Sequence, residues 1–169
     1  MFSDARTQVL FRAAELNAAG VTAGLISSLA LQVAAKNSTA PYQGFTIRMG
    51  CTQANTLNGF VPGLSVVFTG NVTTTPGWNT HIFTNGYEWD GVSNLIVEFC
   101  YDNLLSSGLD QVFVSPTTYN SVAFQRANFT VGCNLAAPVR SAQRPQMRFT
   151  SCAVNVPVTY SWTPATGLS

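Results

Sequence analysis

Trp78, Asn79, Asn85 and Tyr87 fall within one short stretch and carry the chemistry that grips a sugar: flat aromatic faces beside amide donors and acceptors. A rigid ring complements the C–H face of a pyranose and loses little entropy when it is held in place. Trp89 lies close by, but its neighbours Asp90 and Gly91 form a turn that would fix the indole against a sheet, so it reads as core. A second set of candidate ligands is made of oxygen. Asp90, Asn94, Asp102 and Asn103, with Ser93 between them, stand at two turns, an arrangement that a structural Ca²⁺ uses to staple loops. Their spacing matches no EF-hand, and capping of turn amides by the same side chains is the competing reading. The lone histidine, His81, is flanked by Thr80 and Ile82 and reads as a solvent-facing strand residue. No spacing sets a nucleophile and an orienting carboxylate around it, and no catalytic residue is assigned. Glu88 paired with Glu98 or Asp90 does not by itself make a glycosidase.

These residues need a scaffold, and the region from Gly77 to Asn103 describes one. Ile82 and Phe83 precede Asn85-Gly86, the dipeptide of a tight hairpin turn, and Tyr87-Glu88-Trp89 resumes beyond it. Asp90-Gly91 is a second turn. From Leu95 to Tyr101, Leu95, Val97 and Phe99 share one face of a strand while Ile96, Glu98 and Cys100 share the other, a face expected to be partly wet, with Glu98 its only charge. Further strands are expected at Leu25–Ala35, Phe45–Cys51, Leu64–Val72, Thr80–Thr84, Gln111–Val114, Ser121–Thr130 and Gln146–Cys152. Loops are expected at Leu104–Leu109 and Asn134–Arg144, and one helix at Thr7–Ala19, stopped by Gly20. Pro145 is expected to start the last strand and Arg148 to face water, with Arg144 and Arg148 as candidate partners of Glu98. About eight strands with frequent turn signals predict an all-β fold, a jelly-roll-like antiparallel β-sandwich with one short N-terminal helix, or alternatively an immunoglobulin-like sandwich.

Composition narrows the function. The chain has 169 residues, enough for one domain with a substantial core. Charged residues are 9% of it, the net charge is +1 and the eight Lys and Arg residues are scattered, so no basic patch serves phosphates and nucleic acid is not expected as a partner. Apolar runs are too short and broken for a spanning helix, so membrane insertion is not expected. Asp4, Arg6, Arg12 and Glu15 interrupt any apolar core of a signal peptide, so an export signal is expected outside this segment. The four cysteines, Cys51, Cys100, Cys133 and Cys152, have no zinc spacing and point to disulfides and an oxidising compartment. Three pairings are open. Cys100 with Cys133 and Cys51 with Cys152 is favoured, because FTIRMGC and MRFTSC are similar alternating strands suited to lying side by side; buried free thiols are the alternative.

Several spaced pieces in one order resemble a known family. They are AAELNAAGVTAGLISSLALQV, FTIRMG, the step Gly77-Trp78-Asn79, WDGVSNLIVEFCYDN and RPQMRF from Arg144. Together they resemble the β-sandwich modules in very large type IX-secreted surface proteins of gliding bacteria. The tail from Thr159, TYSWTPATGLS, resembles the first strand of a PKD or immunoglobulin-like repeat. The resemblance implies a sandwich module over residues 1–153, and a linker with the start of a following repeat over 154–169, to which Trp162 would belong. It also implies an extracellular or cell-surface adhesion protein without catalytic residues. Where that family suggests an acidic residue near position 127 or 128, this chain has Ala127-Asn128. The expected function is non-catalytic: binding a glycan or surface polymer, in contact with neighbouring domains of the same chain. A structural spacer, a self-associating fibre subunit with few charges guarding its strand edges, and a hydrolase accessory domain are the alternatives. No cofactor is expected beyond structural Ca²⁺.

Overall fold

The structure, a computed structural model, describes residues 1–153. The expected linker and following repeat, with Trp162, lie outside the described residues. The chain runs β1 (Phe2–Phe11), α1 (Ala13–Ala18), β2 (Gly24–Ala35), β3 (Tyr42–Thr52), β4 (Ser65–Val72), β5 (Gly77–Trp89) and β6 (Asn94–Ser107). Shorter pieces follow: β7 (Gln111–Val112), β8 (Val114–Pro116), β9 (Val122–Ala127), a 3₁₀ turn (Gly132–Asn134), β10 (Val139–Ser141) and β11 (Gln143–Pro145), before β12 (Met147–Ala153). A six-stranded sheet in the order β10-β9-β1-β6-β3-β4 faces a second sheet, β12-β2-β5, to which β7 adds at β2; β11 and β8 make a small ribbon. All pairings are antiparallel. The described residues form an all-β sandwich with a single short α-helix, the class the sequence predicts.

The core forms where the inner faces meet. Val9, Ile26, Leu29, Ile47, Met49, Leu95, Val97 and Trp89 are buried there. A second apolar cluster covers the outer face of the large sheet: Leu10, Ile96 and Ala123 pack against Leu57, with Phe60, Val61 and Leu64 from the segment between β3 and β4. Both faces of β1 and β6 are therefore covered. That accounts for the main departure from expectation, since Thr7–Phe11 is not helix but the end of β1, paired with β6 and β9. A strand buried on both sides loses its polar alternation and looks like a helix by periodicity alone. Only Ala13–Ala18 is helical.

Three further expectations are corrected. Asn85-Gly86 is no hairpin turn, because β5 runs through it as a bulge: Ile26 pairs with Tyr87 but Ser28 already with Ile82. A Cβ on Gly86 would come within 2.4 Å of the Leu25 side chain and 3.2 Å of the Ile26 carbonyl, so the glycine permits β2 to approach. Leu104–Leu109 is not a loop throughout, since β6 continues to Ser107 opposite Phe2, and Asn134–Arg144 contains β10 and the start of β11. By contrast Asp90-Gly91 turns as expected. Gly91 takes φ 78°, and Asp90 Oδ1 accepts from the Val92 and Ser93 amides.

Candidate functional site

Trp78 belongs to a groove of about 560 Å³ beside β12, the edge strand of the smaller sheet. Side chains of a strand alternate between faces, and Trp78 shares the outer face with Thr80 and Ile82. Arg148, on β12, reaches over the small Ala30 of β2 and sets its guanidinium 3.9 Å from the centre of the Trp78 ring. Arg148 is exposed, as expected, and makes no hydrogen bond or ion pair among the described residues. Among the described residues its donors are free while the indole stacks against the guanidinium.

The groove's other wall is fixed. Glu15 on α1 accepts from Arg144 Nη1 at 2.7 Å, Tyr119 Oη at 2.5 Å and the Arg12 amide at 2.9 Å. Burial alone would raise the Glu15 carboxyl, but the bonds from Tyr119 and Arg144 outweigh it and hold it below its ordinary value. Arg144 also stacks on Phe11, 4.6 Å from the ring centre. It is therefore a structural clamp and no partner of Glu98. Gln146 Nε2 donates to Ser115 Oγ at 3.1 Å on the groove floor.

The other expected ligand residues are elsewhere. Asn79 points to the opposite face from Trp78 and closes its own turn, accepting from the Thr75 amide and donating to the Thr75 and Gly77 carbonyls. Asn85 is exposed in the β5 bulge. Tyr87 pairs with Ile26 whereas Trp78 pairs with Gln32, which puts them about 20 Å apart at strand rise. Tyr87 Oη donates to Cys51 Sγ at 3.3 Å, and burial pushes its phenol up.

The oxygen ligands are divided in the same way. Asp90 accepts from Ser93 Oγ as well as the two turn amides, and these bonds hold its carboxyl low. Asn94 Oδ1 accepts from the Ala13 amide, and its Nδ2 donates to the Ala54 carbonyl and to Asn55 Oδ1. Asp102 and Asn103 lie some eight residues further along β6, about 26 Å away. Asn103 Oδ1 accepts from the Gln43 amide at 2.7 Å. Asp102 faces Asp4 across the β1–β6 pair, and its carboxyl is raised by burial and by that neighbour. No group of three or more His, Cys, Asp or Glu among the described residues is placed to hold a metal ion.

Cys100 and Cys133 form the expected disulfide, with Cys100 fully buried. Cys51 and Cys152 do not pair; both are exposed free thiols. Their strands resemble each other yet lie in different sheets, β3 in the large one and β12 in the small one. Such a buried disulfide fits an oxidising environment. No helix of the described residues is long and apolar enough to cross a membrane.

His81 also departs from expectation. It faces inward, not to solvent, stacked on Phe45 and edge-on to Phe68, both at 5.3 Å between ring centres. Burial lowers its pKa. It lines a second space, about 190 Å³, between the sheets, together with Phe45, Phe99, Tyr101, Leu31 and Val33. Nothing in the spacing of those residues marked them as neighbours, because they come from four different strands.

Glu98 is buried outright on the outer side of β6, so the face it shares with Ile96 and Cys100 is dry and not partly wet as expected. Arg6 Nε and Nη2 each stand 2.8 Å from its Oε2, Gln8 Nε2 donates to the same oxygen at 2.7 Å, and Arg48 Nη1 reaches Oε1 at 2.6 Å. Gln8 also exchanges two bonds with the Val61 backbone. The lone charge of the β6 run thus joins three strands to the covering segment. No protein-family model, curated protein or solved structure matches the chain.

Proposed function

We propose that this chain is a non-catalytic, extracellular binding module of a multidomain cell-surface adhesin, and that its groove beside β12 takes an acidic glycan. The observation that carries the reading is the exposed Arg148 guanidinium stacked 3.9 Å over Trp78 with its donors uncommitted among the described residues. A planar cation fits a sugar carboxylate or sulfate in two parallel hydrogen bonds. The indole edge and the Gln146–Ser115 floor offer apolar and polar contact to the ring that bears it. Glu15 is no general acid for this groove, because Arg144 and Tyr119 hold it ionised. The export route and the surface location rest on the family resemblance, and the oxidising compartment on the buried disulfide.

Binding to an array of acidic and neutral polysaccharides, with calcium and with chelator, tests the reading. Saturable binding to uronate- or sulfate-bearing polymers is expected, about tenfold weaker in Arg148→Ala and in Trp78→Ala, a loss of about 1.4 kcal/mol. It should weaken further as salt rises toward 1 M. Neutral polymers bound equally well, or acidic ones bound equally by both folded variants, would defeat it.

A further inference from the structure

The 190 Å³ space between the sheets is distinct from the Trp78 groove, with which it has only Pro145 in common, and its walls combine aromatic rings with a few polar groups. Along the inner face Val9, Ile26, Leu29, Ile47 and Val97 have no accessible surface, whereas Tyr42, Phe45, His81, Phe99 and Tyr101 each retain 7–8%. The space lies between the stretches of β2, β3, β5 and β6 that carry Val33, Phe45, His81 and Tyr101. Arg126, exposed on the wall, marks the side on which the space opens.

Of the wall side chains, Thr7, His81, Tyr101 and Arg126 make no hydrogen bond among the described residues, and of these the Tyr101 hydroxyl alone is shut off from solvent. Asp110 accepts from the Asn37 and Ser38 amides and from the Ser38 and Thr74 hydroxyls. Tyr42 Oη accepts from the Asp110 amide at 3.2 Å. Tyr101, whose ring sits edge-on to Tyr42 at 4.7 Å, is 8% exposed, and its hydroxyl has no hydrogen-bond partner among the described residues. Buried hydroxyls are ordinarily satisfied, so this one, in the wall of a cavity, calls for a partner from beyond the described residues. Burial pushes the Tyr101 phenol up, so it is a neutral donor.

We propose that this intersheet cavity binds a small, neutral, largely apolar molecule of one ring with a single hydroxyl or carbonyl oxygen, held by a hydrogen bond from Tyr101 Oη. The volume sets the size, since an apolar cavity of about 150 Å³ accommodates benzene and this one leaves room for one substituent. Leu31, Val33, Phe45 and Phe99 supply the apolar walls. Charge is disfavoured inside the space, because Asp110 in its wall repels an anion, the Arg126 guanidinium stands exposed over the Phe124 ring at the mouth, and no unpaired carboxylate lines the interior to receive a cation.

Titration of the intact domain with p-cresol, cyclohexanone and toluene, followed by protein NMR, tests this. All three should shift resonances of Leu31, Val33, Phe45 and Tyr101. Tyr101→Phe, which removes only an unpartnered hydroxyl, should weaken p-cresol and cyclohexanone at least tenfold and leave toluene unchanged. Val33→Phe, checked for folding by its melting transition, should abolish all three by filling the space. Absence of binding to the native protein, shifts confined to the Trp78 groove, or equal loss of toluene and p-cresol in Tyr101→Phe would each overturn the proposal.

Discussion

At Glu98 the chain buries a full charge and then supplies two guanidiniums and an amide to hold it. Removing one member of such a cluster strands the others. Glu98→Ala is expected to destabilise the fold by about 3 kcal/mol, the lower end for a broken buried ion pair, because Arg6 and Arg48 keep 15% and 27% of their side-chain surface exposed; urea unfolding measures it. The isolated charge in an apolar run was legible in the sequence, but its partners were not, since Arg6 and Arg48 come from strands distant in the chain. His81 is the opposite case: its strand neighbours suggested water, and only the other sheet supplies Phe45 and Phe68. Its folded pKa lies below the ordinary value, so the native state takes up a proton less readily than the unfolded chain. Stability is then complete above about pH 6.5 and declines as pH falls from there toward the lowered folded value. The melting temperature of the wild type should drop between pH 7.5 and pH 5, and His81→Phe should reduce that drop. An equal drop in both proteins would show that His81 is not the group responsible.

Strands with one wet face were legible, and β1, covered on both faces, was not, whereas β6, equally covered, was marked as a strand by Glu98 and the Asp90-Gly91 turn before it. β2, β4 and β12 carry polar residues on their outer sides, and their expected limits agree with the observed strands to within a residue. β1 has Gln8 and Leu10 buried under the β3–β4 segment as well as Val9 in the core, so no alternation marks it as a strand. Turn chemistry misled at Asn85-Gly86 for a related reason: whether an Asn-Gly pair reverses the chain or bulges it depends on a partner strand, here β2 at Leu25 and Ile26. The same reasoning applies to the 3₁₀ turn. A Cβ on Gly132 would sit 1.9 Å from the Tyr101 carbonyl oxygen, a backbone atom that cannot step aside. Gly132→Ala should therefore lift the turn away from β6 and cost about 3 kcal/mol, with the Cys133 neighbourhood becoming faster in hydrogen exchange than the rest of β6. Unchanged stability would mean that the turn tolerates displacement.

The molecule as a whole is one-sided. The outer face of the large sheet is sealed by the β3–β4 segment, by the Glu98 cluster and by the 3₁₀ turn tied down through Cys100–Cys133. The outer face of the small sheet has no such cover, and Thr80, Ile82, Arg148 and Thr150 are exposed there beside Trp78. Stability devices and the candidate glycan surface therefore occupy opposite sides of the sandwich, separated by the core. Changes on the sealed side should alter stability with little effect on the open one, since sites this far apart without shared partners behave additively. Replacing both Cys100 and Cys133 by alanine opens a loop with a sequence separation of 33. The expected loss is about 3 to 4 kcal/mol in the chain-entropy description, read from the denaturant midpoint. Below that midpoint the variant should keep the polysaccharide affinity of the native protein within about twofold, because Trp78 and Arg148 are held by β5, β2 and β12, none of which carries either cysteine. A folded variant that had lost binding would mean that the disulfide sets the geometry of the far sheet, and that the two sides are coupled through the core.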